Sequence, residues 1–314
     1  MRKMLEKIVL FDSCHNEMLN IDDPDYKDFK ALLQRMNLRI RKNDSQNINR
    51  KILQNINILI IGNPINNYFS TIEIKSICDF VRAGGNLLLI SEYGSDLLQK
   101  TNLNDLTGKH FGIFLEKTLV KKREKDVKKS SSIIKIRKEI SKEFSNGIVE
   151  IIIGGSCSLF LTKNAKPILK TDDNNAWSET YNASTGKWIR EKEQQQILAA
   201  CSSYGLGKVA CIGDIDIFTN DERIGINALD NRQFVQNLIN WFLKPVEEQD
   251  TIKFIINQLN EFKAEMKEMN TLLNNALESL ASLEKRVEIL EKSPALILTS
   301  QKKNSKESER EISD

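Results

Sequence analysis

From Ile252 to Leu290 the chain places an apolar residue at alternating steps of three and four: Ile252, Ile255, Leu259, Phe262, Met266, Met269, Leu273, Ala276, Leu280, Leu283, Val287 and Leu290. A sustained period of about 3.5 keeps one stripe facing a neighbour as helices supercoil. No glycine or proline interrupts residues 251–292. A lone helix would leave that stripe in water, so the pattern predicts a coiled coil. An ordinary helix folded back onto the rest of the chain is the alternative. Leu272 and Leu277 widen the stripe on its flanks, which leaves room for more than two helices. Phe262, Met266 and Met269 fit a heteromeric or loosely specified seam better than a tight homodimer. After Pro294 the sequence is charged and poor in apolar residues, which predicts disorder. The expected organisation is an α/β domain over residues 1–245, a coiled-coil helix over 246–293 and a disordered charged tail over 294–314.

Upstream of the seam the signal changes to alternating strands and helices. The runs 7–12 (KIVLFD), 56–61 (INILII) and 86–91 (NLLLIS) are short and continuously apolar, as strands buried on both faces should be. Residues 37–41 read as a short edge strand. Between these lie two helical patterns. Over 24–36, Tyr26, Phe29, Leu32, Leu33 and Met36 share one face, with Pro24 at the start. From Ser70 or Thr71 a second helix begins, with Glu73 placed to complete a capping box, and it stops at Gly84-Gly85. This order predicts a mainly parallel sheet flanked by helices. Further on, 135–144 reads as an amphipathic helix, 148–153 and 157–161 as strands, and 168–179 as a polar loop. The basic run 120–129 reads as a solvated loop or hairpin tip. Residues 196–201 and 208–213 predict a hairpin. A helix over 230–243, with Asp230 as its N-cap and Phe234, Leu238, Trp241 and Phe242 inward, closes the domain.

Composition narrows the function classes. Basic and acidic residues nearly balance, 46 against 43, so no polyanion partner is indicated. The basic run at 120–129 holds no aromatic residue for base stacking, and nucleic acid is not expected. No apolar stretch approaches the roughly 20 residues of a membrane helix. The start reads as a first strand, not a cleaved signal. The five cysteines, Cys14, Cys78, Cys157, Cys201 and Cys211, are odd in number and widely spaced, which suits reduced thiols in the cytoplasm.

In an open parallel sheet, ligands bind beyond the carboxyl ends of the strands. The sequence places Asp12, His15 and Asn16 after the first strand, Asn63 after the third, Glu92 after the fourth and Asp214 after the hairpin. These are the candidate ligand-binding residues, suited to a sugar-like polyol or a cation. Each has a structural alternative: strand-end aspartates commonly cap turns, and an isolated histidine is commonly a core residue. Cys14 and His15 are sequence neighbours, which an extended strand points to opposite faces, and no nucleophile elbow is present. No metal site or cofactor is expected from the spacing of ligand residues or glycines.

The segments FDSCHNEMLNIDDPDY, VRAGGNLLLISEYG, WSE at 177–179, and GKVACIGDIDIFTND followed by DNRQFVQNLINWF occur in an order that resembles the GIFT-type domain family. That family includes the N-terminal domain of intraflagellar transport protein 52 and the GldG-type auxiliary proteins of ABC transporters. The resemblance covers roughly residues 7–243 and implies a class I glutamine amidotransferase-like, or flavodoxin-like, α/β fold. Amidotransferase relatives carry a cysteine nucleophile at the turn after the fourth strand. Here that turn holds Glu92 and Tyr93, so glutaminase activity is not implied. The resemblance implies a non-catalytic binding or scaffold protein, joined to a partner or to itself through the coil. Two rival expectations stand beside it: a hydrolase or transferase using Asp12, His15 and Glu92, and a cytosolic accessory subunit of a GldG-like transporter.

Overall fold

A computed structural model describes residues 6–44, 46–123, 130–172, 174–191, 193–245 and 248–291, with side chains except at 248–250, 253 and 291. The chain divides into two compact units, Met1–Glu247 and Glu248–Asp314.

The first unit is built on a seven-stranded mixed sheet. Its parallel part comprises β1 (Lys7–Asp12), β2 (Leu38–Asn43), β3 (Ile58–Gly62) and β4 (Asn86–Ile90). Two later strands, β14 (Ile197–Tyr204) and β15 (Gly207–Ile212), form a hairpin, and β11 (Lys166–Lys170) adds an edge. The spatial order is β11-β14-β15-β4-β3-β1-β2, parallel from β15 to β2 and antiparallel from β15 to β11.

Strand side chains alternate between the two faces of this sheet. Val9, Phe11, Ile58, Ile60, Leu88, Ile90, Ala210 and Ile212 pack into one apolar layer with helices α1 (Lys27–Arg35) and α5 (Asn231–Leu243). Leu10, Leu59, Ile61, Leu87, Leu89, Val209 and Cys211 pack into the other with α2 (Thr71–Arg82). Burial on both faces is why these strands read as continuous apolar runs. Each such side chain contributes about 1.5–3 kcal/mol on leaving water. The start of α2 is the predicted capping box: Ser70 accepts from the Glu73 backbone, and Glu73 accepts from the Ser70 backbone.

Smaller antiparallel sheets and short helices cover the strand ends. Two short helices, α3 (Ser95–Gln99) and α4 (Leu103–Leu106), follow β4, and a π-turn spans Thr107–Phe111. Strand β5 (Ile113–Leu115) pairs with β10 (Leu159–Leu161). A four-stranded sheet joins β6 (Thr118–Arg123), β7 (Ser130–Ser131), β12 (Ala176–Asn182) and β13 (Lys187–Arg190). The basic run 120–129 is not wholly a solvated tip: residues 120–123 belong to β6, where Val120 is buried and pairs with Ser178, and residues 124–129 lie outside the described residues.

Three local expectations are corrected. Residues 135–144 form no helix: β8 (Ile133–Ile136) pairs with β9 (Ile151–Gly154), burying Ile134 and Ile136 with a period of two. The Asp172 side chain then takes the backbone N–H groups of Arg137, Lys138 and Glu139, holding the chain in a bend just after β8. The supposed loop 168–179 contains parts of β11 and β12. Strand β11 tolerates Pro167 because it is an edge strand with an irregular register. Asp230 sits at the N-cap of α5, but its carboxylate accepts from Val149 and Glu150, so it ties β9 to the helix and does not cap it.

The second unit is helix α6 (Glu248–Glu291), 44 residues long. Its large seam side chains are exposed, from 39% at Met266 to 73% at Leu290. Among the described residues no helix is long and apolar enough to cross a membrane. The expected disordered tail, 294–314, lies outside the described residues.

Candidate functional site

The parallel strands β1, β3, β4 and β15 end at one edge, where the chain turns away and leaves polar side chains behind. After β1 the loop crosses to β3, with Met18 donating to the Asn63 carbonyl and Leu19 to that of Gly62. Strand parity then sends the candidate residues to two places.

Asp12 has the parity of Leu10 and faces α2. There His15 Nδ1 lies 2.6 Å from Asp12 Oδ2, and His15 Nε2 lies 3.1 Å from Glu73 Oε1. Asn43 donates to the other Asp12 oxygen at 3.0 Å. Phe69 stacks on the imidazole at 3.9 Å between centroids. Glu17 accepts from the His15 backbone through Oε2. Burial alone would raise the Asp12 carboxyl, but hydrogen bonds from His15 and Glu17 overcome it and hold the group below its usual range. Burial opposes a charged His15, yet the hydrogen bond and charge of Asp12, with Glu73 behind them, raise its pKa. Glu17 is pushed up to about 9, first by burial and then by its hydrogen bond to Asp12. An imidazolium therefore bridges Asp12 and Glu73, while Glu17 keeps its proton. With both ring nitrogens occupied, His15 has no lone pair to offer a metal or a substrate proton.

Glu92 has the parity of Ile90 and faces the opposite layer, where it meets Asp214 and Asp216. One oxygen of each lies within 4.8 Å of the others. Glu92 accepts from the Tyr93 backbone, and Asp214 accepts from the backbones of Gly154 and Asp216. Among the described residues none of the three forms an ion pair. Burial, then the charges of Asp214 and Asp216, push Glu92 up to about 9. Burial and Asp216 raise fully buried Asp214 well above the carboxylate range. Asp216 is raised too, by burial and the charge of Asp221, and a carboxyl that keeps its proton offers a donor and an acceptor together.

The structure brings Asp12 together with His15, and Glu92 with Asp214, but does not assemble Asp12, His15 and Glu92 into one crevice. Asn16 donates to the Ile65 carbonyl. Buried Asn63 donates to Met18 Sδ, and its Oδ1 is unpartnered. Glu73 belongs to the first group although its sequence signal was that of a helix cap alone. Asp216 joins the second, and only its spacing from Asp214 hinted at that.

The thiols are held in their neutral form. Burial pushes Cys78 and Cys201 up to about 12 and raises Cys157 and Cys211 as well. Cys14, raised by burial and by Asp12, donates to the Gln46 carbonyl. Among the described residues no cysteine touches a histidine ring, and Glu92 occupies the turn after β4.

These features define a mixed α/β unit with buried carboxyl groups at the carboxyl edge of its sheet. A family model described as the IFT52 GIFT domain matches residues 8–124. The solved mmIFT52 N-terminal domain has the same fold, with a TM-score of 0.61 and 17% identity over 76% of this chain and 99% of that one. A cytoplasmic protein from Salmonella typhimurium is similar at a TM-score of 0.50 and 12% identity, over 75% of this chain and 98% of that one. No curated protein matches the sequence.

Proposed function

We propose that this chain is a non-catalytic scaffold protein of the intraflagellar-transport type. Its α/β unit, with a class I glutamine amidotransferase-like fold, is a recognition module, and α6 assembles it through a coiled coil. The reading rests above all on the exposed heptad stripe of α6, since apolar side chains at this spacing are satisfied by an interdigitating helix. The family match over residues 8–124 supports the character of the first unit. Five free cysteines, four of them buried, suit a reducing cytoplasm.

The test is the solution mass of the full chain and of the double variant Leu273→Asp/Leu280→Asp, measured alone and with cytoplasmic extract. Assembly of the parent chain that the variant loses supports the reading. Equal behaviour of the two, with α6 helical in both, overturns it.

A second reading concerns a ligand. Among the described residues the trio Glu92, Asp214 and Asp216 has no basic partner, and carboxyls that keep their protons offer donors and acceptors, which suits the hydroxyls of a sugar-like polyol. A polyol that raises the melting temperature of the parent chain but not of Asp216→Asn would support it. No shift across a polyol panel would remove it.

A further inference from the structure

We infer that the occupant of the α6 stripe is a second copy of this chain, lying parallel and in register. This rests on the coiled-coil reading of α6 and names its partner. The argument comes from the residues flanking the seam, which set orientation and partner choice in coiled coils.

With Ile252, Leu259, Met266, Leu273, Leu280 and Val287 at a and Ile255, Phe262, Met269, Ala276, Leu283 and Leu290 at d, the flanking residues fall at e and g. In a parallel, in-register pair, each g residue faces the following e residue of its partner. Gln258 then faces Lys263, Glu265 faces Asn270, Leu272 faces Leu277, and Ser279 faces Glu284. Arg286 faces the oppositely charged Glu291, the other charged groups of these pairs meet neutral polar ones, no like charges meet, and the two exposed leucines meet each other.

The leucines also fall where the seam needs them. Ala276 is the one small residue among the d positions, so its layer is underfilled and draws the helices together. Leu272 and Leu277 lie on either side of that layer and cover it. Their exposures of 64% and 54% are thereby removed.

Other arrangements break this match. Sliding one helix by a heptad sets Leu272 against Glu284 and Glu265 against Leu277. Reversing one helix sets Leu277 against Lys263 and Ile256 against Glu284. Each buries a charged group against an apolar one, which is unfavourable. Aromatic and thioether side chains adapt to varied neighbours, so the Phe262, Met266 and Met269 layers are compatible with their own copies in the parallel register.

The test is cysteine cross-linking in the full chain carrying Cys14→Ser, which removes the half-buried native thiol. Ala276→Cys places a thiol in the seam, and Thr271→Cys places one on the far face of the same helix. The expected result is a two-chain band on a non-reducing gel after mild oxidation for Ala276→Cys only. Adding Leu273→Asp/Leu280→Asp should abolish it. A multimeric mass without the Ala276→Cys band overturns the parallel register while leaving the coiled coil standing. A single-chain mass at every concentration, with α6 helical only when extract is added, overturns the second copy in favour of a foreign partner. A single-chain mass under all conditions overturns this inference and the assembly reading together.

Discussion

The imidazole of His15 donates through Nδ1 to Asp12 at 2.6 Å, closing the carboxyl end of β1 onto its own following loop. The same ring reaches Glu73 on α2 at 3.1 Å, and Glu73 in turn accepts from the Ile48 backbone and caps its helix. One buried cation thus fastens a strand end, a loop and a helix start. Buried charges placed this way make a site rigid and specific even where their net stabilisation is small.

Removing the cation should expose that dependence. His15→Ala leaves the buried Asp12 and Glu73 without their shared cation and is expected to cost about 3–5 kcal/mol. The sign with pH follows from the raised pKa of His15. The folded chain keeps the proton that the unfolded chain releases near 6.5, so the stabilisation is full below that value and is lost as pH rises through the folded pKa. Urea unfolding across this range should show the penalty of His15→Ala shrinking toward alkaline pH. A penalty that grows with pH would contradict the bridge.

The acidic trio should show a different signature. Glu92 rises from 4.5 to about 9 in the folded chain, so between these values folding takes up a proton. The contribution of this group is therefore complete below pH 4.5 and declines as pH climbs to about 9. Glu92→Gln mimics the protonated acid and still accepts from Tyr93. It should flatten the decline and raise stability at the alkaline end, where the parent chain has to ionise a buried carboxyl. Parallel pH–stability curves for variant and parent would show that Glu92 does not hold the proton.

What was legible in the sequence was whatever depends on near neighbours. The runs at 58–61 and 86–90 declare buried strands, Ser70 and Glu73 declare a helix start, and the glycine turn before Lys208 declares a hairpin. The stretch from 130 to 182 was harder, because its strands are short and take their character from distant partners. Ile136 is in a strand because Ile151 pairs with it, and residues 137–139 bend around the Asp172 carboxylate instead of entering a helix. The candidate site was half legible for the same reason. Strand ends locate Asp12 and Glu92, but parity separates them, and only the folded chain brings Glu73 to His15 and Asp216 to Glu92.

Asn231 offers a check on the junction of α5 with β9. It is fully buried; its Oδ1 accepts from the Ile152 backbone, and its Nδ2 donates to the carbonyls of Ile152, Ile224 and Gly225. Asn231→Ala leaves these groups unpaired, at a cost of about 1–3 kcal/mol for each one that water cannot reach. Asn231→Asp has the same shape but turns a carboxylate toward three carbonyl oxygens. It should be the worse variant at neutral pH and recover as pH falls and its carboxyl gains a proton. Thermal unfolding of both variants at two pH values decides this, and an aspartate better tolerated than alanine at neutral pH would refute the network.

Gly207, at the start of β15, tests the packing of the hairpin on α2. A Cβ there would fall 2.1 Å from the carbonyl oxygens of Gly85 and Val81 and 2.8 Å from Val81 Cγ1. Backbone oxygens cannot swing aside as a side chain can, so relief requires β15 or the end of α2 to shift. Overpacking of this kind destabilises a core by about 3 kcal/mol, and more where the obstacle is backbone. Gly186, in the β12–β13 turn, has nothing within 4 Å but a φ of +65°. There an added Cβ meets only the intrinsic left-handed penalty of about 1–2 kcal/mol. Gly207→Ala is accordingly expected to lower the denaturation midpoint well beyond Gly186→Ala, with the hairpin amides of β14 and β15 losing hydrogen-exchange protection first. Equal midpoints for the two variants would mean that the hairpin is not seated against α2 as the geometry requires.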